Sequence, residues 1–175
     1  LVATYKTSLA DKWGNPRENF GLSDVLNVSY VETSNYSHNY LQKVREHPIL
    51  KGLPEDPVQL SNLGYESSTE EPTATLKTTA SSSAESIANI VFPYIEPTED
   101  KWVSHCNPPS TEVSIFPAIV CGHYGKGKVV YFAYRPCALY GQFSYPEHRA
   151  LIAEAVKWAA GERPPLEVEA PRCVE

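Results

Sequence analysis

Two apolar runs separated by a short glycine-bearing segment dominate the hydrophobic pattern of the chain. The runs, Val113–Cys121 and Val129–Tyr134, are rich in β-branched and aromatic residues and flank the sequence His-Tyr-Gly-Lys-Gly-Lys. This pattern predicts a β-hairpin over 113–134, in which Gly125 and Gly127 can supply the positive φ angles that a tight turn requires. Because both runs are nearly continuous in apolar residues, we expect central strands that are covered on both faces of the sheet.

An amphipathic helix is predicted directly after the hairpin. Pro146 suits the first helical position, where its missing N–H would have no partner anyway, and Gly161 suits the position just past the end. The expected apolar stripe consists of residues at helical spacing, namely Leu151, Ile152, Ala155, Val156 and Ala159. A hairpin that is covered by one helix predicts an α/β fold.

The rest of the pattern predicts shorter elements. Strands are expected at Leu1–Tyr5, Val28–Val31, Val58–Leu60, Ala74–Thr79, Ser86–Val91 and Leu166–Glu169, with a short helix at Phe20–Leu26. Two stretches, Ser34–His47 and Ala138–Tyr145, have no clear period, and the second is expected to be an aromatic loop.

Length and charge narrow the classes of function. The chain has 175 residues, which suits one domain, and its net charge of −6 without a basic cluster argues against nucleic-acid binding. No apolar run is long enough to span a bilayer, so we expect no membrane association. No targeting signal is visible, and a cytoplasmic and a secreted location both remain open.

The cysteines and asparagines give few further signals. The 4 cysteines have no Cys-x-x-Cys spacing, so we expect no metal site, and no motif calls for another cofactor. Asn27-Val28-Ser29 and Asn35-Tyr36-Ser37 match the glycosylation sequon, a short motif that often arises by chance.

Four stretches, taken in order, resemble one known family. They are LVATYKTSLADKWGNPRENFGLSDVLNV at the start, WVSHCNPP before the hairpin, GKGKVVYFA within it, and the final HRALIAEAVKWAAGERPPLEVEAP. Together they resemble the β-galactosidase trimerisation-type domain on the C-terminal side of glycoside hydrolases. The GKGKVVYF segment alone is also similar to trehalose-utilisation-type domains.

This resemblance implies a flavodoxin-like fold of the class I glutamine amidotransferase type. In the family, such a domain follows a catalytic barrel, helps to assemble the oligomer and usually lacks an amidotransferase site. The expected domain covers 1–165, with 166–175 as a last strand or the start of a linker. Since the chain begins where the family is already part-way through the domain, we expect the opening strands to lie outside it. Asn27 stands where the family usually has glycine.

Cys121 is the sharpest candidate for catalysis. The sequence Ala-Ile-Val-Cys-Gly-His faintly echoes a nucleophile elbow, in which a strand delivers a cysteine to the N-terminus of a helix. Here a new β run begins at Lys128, so no helix can follow, and a cysteine packed as a small apolar residue is the favoured interpretation. His105 and Cys106, near Trp102, are weaker candidates that could line a pocket or a subunit interface, or could only cap local backbone.

Aromatic and basic residues follow the second hairpin strand. Arg135, Tyr140, Tyr145 and His148 could face a ligand beyond the strand ends, but a tyrosine-rich loop with an arginine also suits a protein interface, which we favour. The resemblance implies the favoured function, a non-catalytic assembly module of a glycoside hydrolase that forms a homo-oligomer (a trimer first), with carbohydrate as a further possible partner. The alternatives are a thiol-dependent hydrolase or amidotransferase, and a trehalose-utilisation-like sugar-handling protein.

Overall fold

The computed structural model describes residues 1–34, 36, 38–60, 75–95 and 109–161. The strands in these ranges are β1 (Val2–Thr4), β2 (Val28–Thr33), β3 (Tyr40–Lys43), β4 (Val58–Gln59), β5 (Leu76–Ala80), β6 (Glu85–Pro93), β7 (Ser110–Tyr124) and β8 (Gly127–Phe132). The α-helices are α1 (Ser23–Leu26), α2 (Pro136–Phe143) and α3 (Pro146–Ala160), and a 3-10 helix covers Pro48–Leu50.

Six of the described strands form one mixed sheet in the order β1-β8-β7-β6-β3-β4. β1 runs parallel to β8, whereas the other neighbours are antiparallel. Strands β2 and β5 form a separate antiparallel pair. This mixed sheet with flanking helices is an α/β fold and is consistent with a flavodoxin-like sheet, so the predicted fold class is confirmed.

The predicted hairpin is formed by β7 and β8 at the centre of the sheet. Cys121 is paired with Val130, and the chain turns at Gly125, which has a φ of +56°. A glycine suits this turn because left-handed backbone is costly for residues with a Cβ.

The hairpin is buried on both faces, as its continuous apolar runs predict. Ile119 and Phe132 belong to one core cluster together with Leu151 of α3. The neighbouring residues Val120 and Tyr131 belong to a second cluster on the opposite face, which α1 and the β2–β5 pair cover. Alternate side chains of a strand point to opposite faces, so each strand serves two cores.

Helix α3 has the predicted ends but a narrower apolar face. It begins at Pro146, and Gly161 follows it with a left-handed φ of +75°. Leu151 and Ala155 are buried, whereas Val156 is 51% exposed. The expectation that Val156 belongs to the buried stripe was therefore wrong.

Several predicted elements differ in the structure. Ala138–Tyr145 is not an aromatic loop, because α2 occupies most of it and ends where Ser144 adopts a left-handed backbone. The aperiodic stretch Ser34–His47 contains β3, and the helix predicted at Phe20–Leu26 is only the four-residue α1. The strand predicted at Leu166–Glu169 lies outside the described residues.

The first half of β7 departs from the prediction of a doubly covered strand. Val113 is 38% exposed and Ile115 is 85% exposed, although both belong to the apolar run that predicted the strand. Apolar residues occur on both sides of Pro117, but only the second half of the strand is buried between two packed layers.

Candidate functional site

The segment Arg135–His148 begins just beyond the carboxyl ends of strands β1 and β8. These two strands are parallel, so their carboxyl ends lie side by side, and the chain passes from there into α2. In open α/β sheets, ligands bind beyond the carboxyl ends of the strands.

His148 lies inside the core and not on the surface near these strand ends. Its Nε2 is 2.9 Å from the backbone oxygen of Gln59, and its Nδ1 is 3.5 Å from the hydroxyl oxygen of Tyr134. Because a carbonyl oxygen only accepts, Nε2 carries the hydrogen, and Nδ1 accepts from the tyrosine. Burial lowers the pKa of His148. The residue is thus a neutral link between α3, β4 and the segment that follows β8.

The other three residues predicted for this segment differ in exposure. The guanidinium of Arg135 lies 5.2 Å from the ring centre of Tyr5, and its Nε is buried without a hydrogen-bond partner among the described residues. Tyr145 stacks against Phe143 at 5.5 Å, and its hydroxyl also lacks a described partner. Tyr140, on α2, is the most exposed of the three, at 38%. The structure brings Tyr145 and His148 into ring contact at 5.9 Å.

Cys121 lies within β7 and has no nucleophile-elbow geometry. It pairs with Val130 of β8 on one side and with Glu85 of β6 on the other, and no helix follows it. Burial, together with the Glu85 carboxylate, raises the pKa of the Cys121 thiol to about 12. A thiol in this state is almost entirely protonated at neutral pH and is a poor nucleophile.

Of the remaining cysteines, the structure describes only Cys137. His105 and Cys106, the weaker catalytic candidates, lie outside the described residues together with Trp102, so the choice between a pocket or interface and local backbone capping stays open. Cys137 is a free and exposed cysteine in the first turn of α2.

Asn27 forms a buried polar junction that the sequence did not reveal. Its Nδ2 donates to the backbone oxygens of Val25 and His123, at 3.1 and 3.2 Å. Its Oδ1 lies 3.4 Å from each of the hydroxyls of Ser81 and Ser83. It also adopts a left-handed φ of +59°, which asparagine tolerates better than most residues. Asn27 thus joins α1, β7 and the β5–β6 turn, and its amide is engaged within the fold.

Gly122 is explained by this junction. A Cβ at position 122 would lie 2.9 Å from Asn27 Nδ2 and 3.2 Å from the Ala84 Cβ. The glycine of the Ala-Ile-Val-Cys-Gly-His motif is therefore required by close packing, not by the turn of a nucleophile elbow.

An aromatic and basic cluster forms around Trp158, near the C-terminal end of α3. The Lys128 ammonium lies 4.9 Å from the ring centre of Trp158, and the rings of His47 and His123 lie 5.3 and 6.1 Å from it. These contacts hold the end of α3 against the hairpin. They involve three segments that are distant in sequence, namely His47, the β7–β8 hairpin and α3, so no local motif could indicate them.

A small open depression lies at the β4 edge of the sheet. It has a volume of about 240 Å³. Its walls are mainly apolar, and they are formed by Pro54, Pro57, Val58, Gln59, Tyr145 and Glu147. Tyr145 is the one residue of the predicted surface that contributes to it.

The described residues meet neither the requirements of a metal site nor those of a membrane-spanning helix. In residues 1–34, 36, 38–60, 75–95 and 109–161, no group of three or more His, Cys, Asp or Glu side chains could hold a metal ion. No helix in this part of the chain has the length and apolar character needed to cross a membrane.

Comparison with known proteins gives a fold likeness without a sequence match. No protein-family model matches the chain, and neither does any curated protein. Among solved structures, α-L-fucosidase isoenzyme 2 from Paenibacillus thiaminolyticus matches 92% of the chain with a TM-score of 0.64 and 13% identity. A cold-adapted β-galactosidase from Rahnella sp. R3 matches 93% with a TM-score of 0.56 and 17% identity. A cytoplasmic protein from Salmonella typhimurium matches 90% with a TM-score of 0.57 and 16% identity.

The match covers only part of each of these proteins. The chain spans 25% of the fucosidase, 19% of the β-galactosidase and 53% of the Salmonella protein. It therefore has the fold of a minor part of several glycoside hydrolases. At these identities the likeness concerns the fold, because one fold can carry many functions.

Proposed function

We propose that this chain is a non-catalytic accessory module of a glycoside hydrolase and that it acts in oligomer assembly, with a trimer as the favoured state. The main support is a fold likeness to two glycoside hydrolases. Each match covers more than 90% of this chain but a quarter or less of the length of the glycoside hydrolase. The order of the sequence motifs that resemble trimerisation-type domains supports the same role.

The chemistry of the described residues supports a role without catalysis. Cys121 is protonated and buried in the central hairpin, and no hydrogen bond joins it to a histidine in the described ranges. Cysteine nucleophiles instead need a lowered pKa and access to substrate. This arrangement disfavours a thiol-dependent hydrolase centred on Cys121, whereas Cys106 lies outside the described residues. The trehalose-utilisation-like alternative calls for a closed polar pocket near Tyr134–Tyr145, whereas the depression beside Tyr145 is open and mainly apolar.

Two measurements on the chain test this proposal. Light scattering after size exclusion is expected to give the mass of a homo-oligomer, and aryl glycosides are expected to remain intact in its presence. A stable monomer at all concentrations would contradict the assembly role. Turnover of a glycoside that survives repurification and disappears on denaturation would contradict the non-catalytic role.

A further inference from the structure

A closed loop between β1 and α1 carries an exposed tryptophan at its turn. The loop comprises residues 9–17 and is closed by an isolated bridge between Ala10 and Pro16. Just outside this bridge, the backbone N–H of Arg17 donates to the Leu9 oxygen at 2.9 Å. Trp13 lies at the turn and is 78% exposed, more than any other aromatic side chain of the described residues.

The Asp11 carboxylate orders the backbone around Trp13. One of its oxygens accepts from the backbone N–H groups of Trp13 and Asn15, at 2.8 and 2.9 Å, and the other accepts from the Asn15 side chain at 2.9 Å. The Gly14 N–H donates to the Asp11 backbone oxygen at 3.1 Å, and the φ of Gly14 is +87°, which suits a glycine. Trp13 is thus presented by an ordered turn and not by a loose loop.

The side chains around the indole are polar. The Lys12 ammonium lies 5.0 Å from the centre of the Trp13 ring, and Asn15, Arg17 and Glu18 are exposed residues of the same segment. A single exposed apolar side chain is ordinary on a protein surface. What sets Trp13 apart is that a network of hydrogen bonds fixes the turn that holds it, so the ring is ordered before any ligand binds.

These surroundings decide between the ligands that an exposed tryptophan can bind. A protein interface of stable size buries about 800 Å² on each partner around an apolar centre, whereas the side chains that flank Trp13 along the chain are polar. Single-stranded nucleic acid stacks on aromatic rings but also needs a positively charged groove, and this chain has a net charge of −6. An acidic chain with one open ring suits an uncharged ligand better than either.

An uncharged sugar ring has the chemistry that this arrangement recognises. The C–H groups on one face of a pyranose carry slight positive charge, and the face of an indole is negative, so the two surfaces attract each other when they stack. The hydroxyls at the rim of the sugar both donate and accept hydrogen bonds. Lys12 and Asn15 can donate to them, and Glu18 can accept from them.

We propose that Trp13 is a stacking platform for a pyranose ring of an uncharged polysaccharide, held in position by the Asp11 turn. Because the ring lies on an open surface, it fits the side of a long sugar chain better than a single sugar, which proteins enclose in a concave pocket. The inference goes beyond the proposed assembly role and does not require it. In an assembled oligomer, several platforms would bind one polysaccharide with a gain in avidity.

Affinity electrophoresis in gels that contain galactan, arabinan or glucomannan tests this site. We expect at least one of these neutral chains to retard the wild-type protein. Trp13→Ala should weaken that binding by at least roughly tenfold, the effect of losing one stacked ring, and Trp13→Phe should lose less because it keeps a ring. Asp11→Ala keeps the indole but frees the turn, so a loss of roughly twofold to fivefold is expected.

Tyr94→Ala is the matched control, since it removes another exposed aromatic side chain, at 73% exposure, from a distant part of the chain. It should bind like the wild type. Unchanged urea midpoints for the variants at positions 13 and 94 show that they are folded. A wild-type protein that none of the three polysaccharides retards, or equal retardation of wild type and Trp13→Ala, would overturn the proposal.

Light scattering on the same variants separates this site from the assembly role. Trp13→Ala is expected to keep the wild-type mass while it loses polysaccharide binding. A lower mass for Trp13→Ala than for the wild type would make Trp13 an interface residue and overturn the sugar site. A wild-type chain that is monomeric but binds polysaccharide through Trp13 would overturn the assembly role alone.

Discussion

Replacement of Asn27 by alanine is expected to lower the free energy of unfolding by about 3 kcal/mol, from two separate effects. The first is loss of the two hydrogen bonds from Nδ2 to the backbone oxygens of Val25 and His123, at 3.1 and 3.2 Å. Each such bond contributes roughly 1 kcal/mol net. The contacts from Ser81 and Ser83 are longer, at 3.4 Å, and are taken to add little.

The second effect is backbone strain. Asn27 has a φ of +59°, and a residue with a Cβ but no local polar side chain loses roughly 1 kcal/mol in this conformation. Asn27→Gly separates the two effects, because glycine adopts this φ without strain but makes no side-chain hydrogen bonds. We therefore expect Asn27→Gly to cost about 2 kcal/mol and Asn27→Ala about 1 kcal/mol more.

Urea unfolding followed by circular dichroism measures both values, and an unchanged denaturant slope would show that only stability has changed. The packing of Asn27 against position 122 gives an independent check. Gly122→Ala places a Cβ 2.9 Å from Asn27 Nδ2, so part of its cost should disappear in an Asn27→Gly background. Equal costs for the alanine and glycine variants at Asn27, or a fully additive double variant, would refute the reasoning.

Three further outcomes are expected. Burial lowers the pKa of His148 below its ordinary 6.5, so the unfolded chain binds the proton first, and stability should fall as pH drops below about 6.5. His148→Gln, which keeps a donor for the Gln59 carbonyl, should flatten this part of the profile of urea midpoint against pH, and an unchanged slope would contradict it. Iodoacetamide mapped by mass spectrometry should modify exposed Cys137 rapidly and Cys121 only on unfolding, and fast labelling of Cys121 near pH 6 would revive a reactive thiol. Leu151→Ala should cost about 3 to 4 kcal/mol in urea unfolding, because Leu151 is fully buried in the α3-side core, and a cost below 1 kcal/mol would show that the core relaxes around the change.

The elements that sequence predicted best are those whose local pattern and tertiary environment agree. The β7–β8 hairpin has continuous apolar runs and a glycine turn, and α3 has a proline at its start and a glycine after its end. Helix α2 was missed because its interior contains Gly141 and Tyr140, which have weak helix propensity. Its ending depends on a left-handed Ser144, which no propensity would suggest.

The binding or interface role of the candidate surface stays a prediction, and the structure shows only where its residues lie. Arg135 and the tyrosines do lie beyond β8, as the order of elements suggested, but His148 turns inward because Gln59 and Tyr134 provide its hydrogen-bond partners. The exposure of Ile115 could not be recognised from the sequence, since this residue belongs to an ordinary apolar run. Ile115 lies in a bulge of β7, between the partners of Asn89 and Val91 on β6. The side chain of Asn89 donates a hydrogen bond to Ser114 within this bulge. The hydrophobic pattern of a single strand cannot indicate such a partner on another strand.

The stretch Cys121–His123 shows how packing can account for a motif that resembles catalysis. Cys121 packs in the core beside Glu85, and Gly122 is small because Asn27 lies against it. The His123 backbone accepts from Asn27, and its ring lies beside Trp158. Each residue that gave the motif its catalytic appearance is thus engaged in holding two cores together.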